Sequence, residues 1–296
     1  MFTTAEIDNC RKLITIALGE DLGTSGDITT QAILPADQVG SAVFVARMTG
    51  VVAGLPAVGM VLAAVDSKLV FAPLLADGGA VQSGTPLARV LGPVRSILAG
   101  ERTALNFLQR LSGVASLTRQ YVDRIAGLPC RILDTRKTTP GWRFLEKYAV
   151  RCGGGQNHRF GLFDGILVKD NHVAALGGHE DAIRRAVRLV REQVGHSVPV
   201  EVEVDTLEQL DVALASGSDI ILLDNMTVDQ LREAVRRRNS LAPGVELEAS
   251  GGVTLASVRA IAETGVERVS VGALTHSAPA LDIALDYELL KGGTRP

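Results

Sequence analysis

A chain of 296 residues, 46% hydrophobic and 21% charged, has the length for one large core or a large and a small one. A formal net charge of −3, a single Trp and 4% aromatic content argue against a nucleic-acid stacking surface. No apolar run approaches the ~20 residues of a membrane span.

In chain order, MFTTAEIDNCRKLITIALGEDLG mixes acids with apolar residues and reads as an amphipathic helix over about Thr4 to Leu18, without the cleavage site of a secretory leader. The polar stretch GEDLGTSGDITT follows as punctuation. Apolar runs at Ser41 to Arg47, Val51 to Gly54 and Leu69 to Leu74, broken by glycines, predict strands of a small sheet. From Ile97 the period becomes helical, with Leu98, Leu105, Leu108, Leu111 and Val114 on one stripe. Arg102 sits early in that helix beside Glu101, where the ordinary reading is an exposed or ion-paired side chain.

The segment Asp134 to His172 then gathers Arg136, Lys137, Arg143, Lys147, Arg151, His158, Arg159, Lys169 and His172 into one loop-rich passage. Crowded cations repel unless solvent or an anion screens them. A solvated helix face after Pro140-Gly141 accounts for Arg143, Lys147 and Arg151. It does not account for Arg136 and Lys137, which follow Ile132-Leu133, or for Lys169, which closes Gly165 to Val168. Both ends read as side chains delivered at the tips of buried strands, as an anion site requires.

Beyond Cys130, the runs CRILD, DGILVK, VPVEVEVD, DIILLD, VELEAS and RVSVGA alternate with helical segments, which predicts parallel strands joined by right-handed crossovers. A (β/α) barrel with fewer than eight strands fits better than an open doubly wound sheet, although nothing in the sequence proves closure. In the third strand Val198, Val200, Val202 and Val204 alternate with Glu201, Glu203 and Asp205. If the valines meet the helices, the carboxylates face the interior, and the fifth strand repeats the pattern with Glu246 and Glu248. Such carboxylates need Lys, Arg or a metal ion as partner, and Lys169 is one candidate. Asp134 with Arg136, Lys169, Glu203, Asp224, Ser250 and Gly272 all fall at strand C-terminal ends, where barrels bind ligands. Ser250-Gly251-Gly252 and Gly272-Ala273 suit a phosphate; Gly153-Gly154-Gly155 lacks the Lys-Ser/Thr of a P-loop. Cys10, Cys130 and Cys152 show no CxxC or Cys/His ligand spacing, so a reduced, cytoplasmic protein with ordinary buried thiols is expected.

Taken together, GERTALNFLQRLSG, DTRKTTPG, KYAVRCGGGQNHR, LVKDNH, VEVEVDTLEQ, ILLDNM, EASGGV and ETGVERVSVGALTHS resemble the quinolinate phosphoribosyltransferases over nearly the whole chain and in that family's order. The resemblance implies an α/β protein: an N-terminal α+β sandwich domain over 1–113 and an incomplete barrel over 114–276, with C-terminal helices over about 277–296 packing back on the first. It implies a homodimer in which Arg102 binds quinolinate across the subunit interface, replacing the ordinary reading of that residue. Arg136, His158, Arg159 and Lys169 would surround the pyridine carboxylates. Phosphoribosyl pyrophosphate would meet Thr135, Lys137, Glu203, Asp224, Ser250, Gly251, Gly252, Val271, Gly272 and Ala273. Lys137, Lys169, Glu203 and Asp224 would serve the chemistry, with Glu203 and Asp224 holding Mg²⁺, directly or through water. Three rivals are an aldolase with Lys169 as Schiff base, a transferase for another pyridine base, and a phosphate-ligand binding protein without turnover.

Overall fold

Local chemistry sets where the elements start and stop. Thr3 and Glu6 form a reciprocal capping box that opens helix α1 (Thr4–Leu22), and Asp27 accepts the Thr30 N–H at 2.9 Å to open α2 (Ile28–Ile33). The polar stretch read as punctuation therefore holds the last turn of one helix and the cap of the next. The computed structural model describes residues 1–178 and 180–288.

Two compact units are present. The first comprises residues 1–119, 138–154 and the C-terminal part from 274. After α1 and α2 come β1 (Val39–Ala46), β2 (Gly50–Val51), α3 (Leu55–Val65), β3 (Val70–Pro73), β4 (Ala80–Val81), β5 (Pro86–Pro93) and α4 (Val94–Arg124).

The second unit, residues 120–137 and 155–273, holds β6 (Arg131–Leu133). Helix α5 (Arg143–Cys152) returns to the first unit before β7 (Ile166–Val168), α6 (Asp170–Ala175) and α7 (Glu180–Val194). Then follow β8 (Val200–Val204), α8 (Leu207–Leu214), β9 (Ile220–Asp224), α9 (Val228–Leu241), β10 (Glu246–Ser250), α10 (Val258–Ala262) and β11 (Arg268–Ser270). Helix α11 (Ala273–His276) leads to β12 (Ile283–Glu288).

In the first unit, β12-β1-β5-β3 form an antiparallel sheet, with Ala42 opposite Tyr287 and Val90. The C-terminal helices expected over about 277–296 are thus corrected as far as Glu288: that segment donates an edge strand, and 289–296 lie outside the described residues. Ile283, Leu285 and Asp286 find backbone partners on β1, and pairing of this kind outweighs weak local helix preference. The solvated helix face is corrected for Lys147, while Arg151 is exposed and Arg143 half-buried. In α5, Lys147 is only 1% exposed, Arg143 Nε donates to Thr138 Oγ1 at 3.0 Å, and Arg151 pairs with Glu6. The basic passage is therefore divided, its middle belonging to the first unit and its ends to the second.

In the second unit, six parallel strands run in the order β6-β11-β10-β9-β8-β7. Sequential strands neighbour each other around the sheet, β6 closes against β11, and a seam remains between β6 and β7, which makes an incomplete barrel. Val200, Val202, Val204, Ile221, Leu223, Leu247 and Val269 are buried, and their alternation sends Glu201, Glu203 and Glu248 to the other face.

Candidate active site

At the seam, the segment after α5 runs along the free edge of β6. Gln156 N–H donates to Ile132 O at 2.8 Å, and Gln156 O accepts from Asp134 N–H at 3.1 Å. Asp134, fully buried, then accepts the His158 N–H at 2.9 Å on one oxygen and the Asn157 amide at 2.6 Å on the other. This fixes the direction in which His158 and Arg159 leave the strand.

Of the residues singled out from sequence, Thr135, Arg136, Lys137, His158, Arg159, Lys169, Glu203, Asp224 and Ser250 line one cavity of about 340 Å³ at the C-terminal ends of the strands. Gly251, Gly252, Val271, Gly272 and Ala273 follow β10 and β11 directly but are not lining residues. Arg102 is exposed on α4 in the first unit and does not line the cavity either. Leu167, Leu222, Glu248 and Ser270 complete the wall. Glu248 was legible as an inward carboxylate from its strand alternation; Leu167, Leu222 and Ser270 carry no signal that separates them from core.

Charge around the rim is ordered. The strand tips and the crossing segment beside the seam supply Arg136, Lys137, Arg159 and Lys169, whereas β8 and β9 supply Glu203 and Asp224. Arg159 lies below the usual guanidinium range because burial and the neighbouring Arg136 disfavour its charge, a condition that a bound anion would offset. Its Nη1 donates to Gly165 O at 3.1 Å. Lys169 is aimed by its own turn: its backbone N–H donates to His172 Nδ1 at 2.9 Å, and its Nζ meets Glu203 Oε2 at 3.2 Å. The alternation argument thus found true partnerships, Lys169 with Glu203 and Arg268 with Glu248. A smaller recess of about 210 Å³ shares Glu203 and Asp224 and adds Asp170 and Asp205. Carboxylate oxygens at neighbouring strand ends are the hard donors that Mg²⁺ takes, so the residues fit that ion.

The barrel floor carries a second charged group. His158 Nε2 lies 3.0 Å from Glu201 Oε2 and 3.4 Å from Glu248 Oε1, and Arg268 Nε donates to Glu248 Oε2 at 2.7 Å. Burial disfavours the imidazolium, but the two carboxylates outweigh it and lift His158 to about 9. The Arg159 N–H donates to His158 Nδ1 at 2.7 Å and opposes that rise, since it needs a lone pair there. Burial, with Glu248 close by, raises Glu201 above the ordinary range; Glu248 is held below it by His158 and Arg268 despite its burial. The three ligating atoms lie within 4.8 Å of one another, a spacing that suits a cation, but Arg268 already occupies that electrostatic role.

Family profiles described as quinolinate phosphoribosyl transferase, N-terminal domain and C-terminal domain match residues 27–112 and 114–286. The chain is 48% identical over 288 residues to the nicotinate-nucleotide pyrophosphorylase [carboxylating] of Mycobacterium leprae, covering 97% of this chain and 100% of that one. It is 42% identical over 293 residues to a quinolinate phosphoribosyltransferase [decarboxylating] of Nicotiana glauca, covering 94% and 82%. The solved structure of the nicotinate-nucleotide pyrophosphorylase from Francisella tularensis superposes with a TM-score of 0.87 at 38% identity, covering 95% and 96%.

Proposed function

The chain belongs to the quinolinate phosphoribosyltransferase family, and from that premise we infer that it transfers phosphoribosyl from phosphoribosyl pyrophosphate to quinolinate with decarboxylation. The products are nicotinate mononucleotide, pyrophosphate and CO₂, a step of NAD biosynthesis. The observation that carries a division of labour among its residues is the two-ended cavity, cationic at the seam and acidic at β8 and β9. Quinolinate is a planar dianion, and the guanidinium forks of Arg136 and Arg159 match carboxylates while Lys169 adds a point charge. On the acidic side, Glu203 and Asp224 face the ribose and stabilise positive charge that develops at its anomeric carbon. Mg²⁺, held by the same two residues, would neutralise the leaving pyrophosphate. Thr135 and Lys137 take the pyrophosphate side, and the turns Ser250 to Gly252 and Val271 to Ala273 take the 5-phosphate on backbone N–H groups.

Attack by the ring nitrogen on the anomeric carbon expels pyrophosphate and leaves a pyridinium. The positive ring nitrogen then stabilises the electron pair left on the neighbouring carbon as its carboxylate departs as CO₂, and that carbon takes a proton from solvent, so glycosylation precedes decarboxylation. We further take the protein to be a homodimer with Arg102 serving the neighbouring site, and the cytoplasm to be where it works. The free thiols of Cys10, Cys130 and Cys152 support a reducing compartment. Purified protein incubated with Mg²⁺, phosphoribosyl pyrophosphate and either quinolinate or nicotinate tests the reading. Nicotinate mononucleotide and CO₂ should form from quinolinate; product from nicotinate alone would reassign the base.

A further inference from the structure

Two buried carboxylates beneath a site for a dianion pose a physical problem, because each repels the ligand unless it is neutralised or has other work. Arg268 balances Glu248 at 2.7 Å. Glu201, 3% exposed, contacts His158 instead. His158 Nε2 lies at ion-pair distance from Glu201 and Glu248, 3.0 and 3.4 Å away, and Nδ1 accepts the backbone N–H of Arg159 at 2.7 Å. The carboxylates therefore hold the ring in place by close charge contact, and the ring holds the backbone from which the Arg159 side chain springs. At its far end that side chain is tied to Gly165 O at 3.1 Å. An acid that orients an imidazole, which in turn orients a functional group, is a recurrent arrangement of outer-shell partners.

We propose that Glu201 and Glu248 are positioning residues for the pyridine dicarboxylate, acting through His158 to hold Arg159 where its guanidinium meets a substrate carboxylate. The inference rests on the assignment of Arg159 to quinolinate and adds a function for Glu201, which does not line the cavity, and for Glu248, which does.

Charge and positioning predict opposite signs. Removing a negative charge near a dianion tightens binding by electrostatics alone, whereas losing the acceptor that orients His158 loosens it. Phthalate, a benzene-1,2-dicarboxylate without the ring nitrogen, cannot be glycosylated and reports binding by calorimetry. Glu201→Leu should weaken phthalate about tenfold and raise the quinolinate KM to match, with the phosphoribosyl pyrophosphate KM changed less than about twofold. Glu201→Gln, uncharged but still an acceptor, should restore binding to within about twofold of the native protein. In an Arg159→Ala background, Glu201→Leu should add less than about twofold, because its path of action is gone.

Unchanged or tighter phthalate binding in Glu201→Leu overturns the proposal, as does an undiminished effect in the Arg159→Ala background. If Arg159→Ala itself leaves phthalate binding intact, the assignment of Arg159 to the substrate fails instead. Should Glu201→Leu not fold, His158→Leu and His158→Asn carry the same contrast. Leu should loosen phthalate about tenfold, and Asn, whose Oδ1 stands near the place of Nδ1, should keep most of the affinity; equal losses in the two variants reject the proposal.

Discussion

Burial and the neighbouring Arg136 disfavour the charge of Arg159, and an incoming dianion relieves that penalty. Arg136→Ala should therefore weaken quinolinate binding by about 1.5–3 kcal/mol, the range of a charge-assisted hydrogen bond, with a much smaller effect on phosphoribosyl pyrophosphate. Equal calorimetric losses for both ligands would count against the assignment. The cysteines lead the other way. Burial pushes Cys10 up to about 12 and Cys130 and Cys152 up to about 11, so near pH 8 almost no thiolate is present to react. Iodoacetamide on the native protein should leave all three unmodified by intact mass and spare activity. Rapid labelling of Cys152 with inactivation would point to a nucleophilic role instead. Which cations sit at strand tips was legible in the sequence because a period of two and an apolar run mark a strand end. That Lys147 is buried was not, because a four-residue spacing fits a buried face as well as a solvated one.

Between elements, the strand-end turns interlock. Asn225, after β9, has a positive φ of 54°, and its N–H donates to Ser250 O at 2.9 Å. Gly251, after β10, has φ +94°, and a Cβ there would overlap the Asn225 side chain and stand 2.9 Å from its backbone nitrogen. Gly251→Ala should cost about 1–2 kcal/mol for the left-handed backbone alone, and more through the overlap. Urea denaturation should show the loss, together with weaker phosphoribosyl pyrophosphate binding; a native midpoint with native affinity would show that the turn tolerates a side chain. The glycines at these turns were visible in the sequence. Their partner Asn225 was not, since its contact joins two strands that only the sheet brings side by side. The C-terminal strand was misread as helix for the same reason, its pairing partner being more than 200 residues away in β1.

At the scale of the whole molecule, Arg102 is exposed on the first unit, and the cavity in the second is lined without it. A homodimer that shares sites should sediment at roughly twice the 31.2 kDa chain. Arg102→Ala mixed with Lys169→Ala should recover up to about one quarter of native activity, the statistical share of intact sites after random exchange. No recovery, with exchange verified, would reject sharing.

Alternation and apolar runs alone determined that parallel strands alternate with helices in the second half, because burial imposes its period wherever the chain runs, and the motifs carried the family with it. Only tertiary structure decided which charges meet: Lys169 with Glu203, Arg268 with Glu248, and His158 between Glu201 and Glu248. These pairs join residues 20 to 90 positions apart whose distances depend on sheet register and on the seam crossing. A sequence states that a carboxylate faces inward; the folded sheet chooses the cation it finds there.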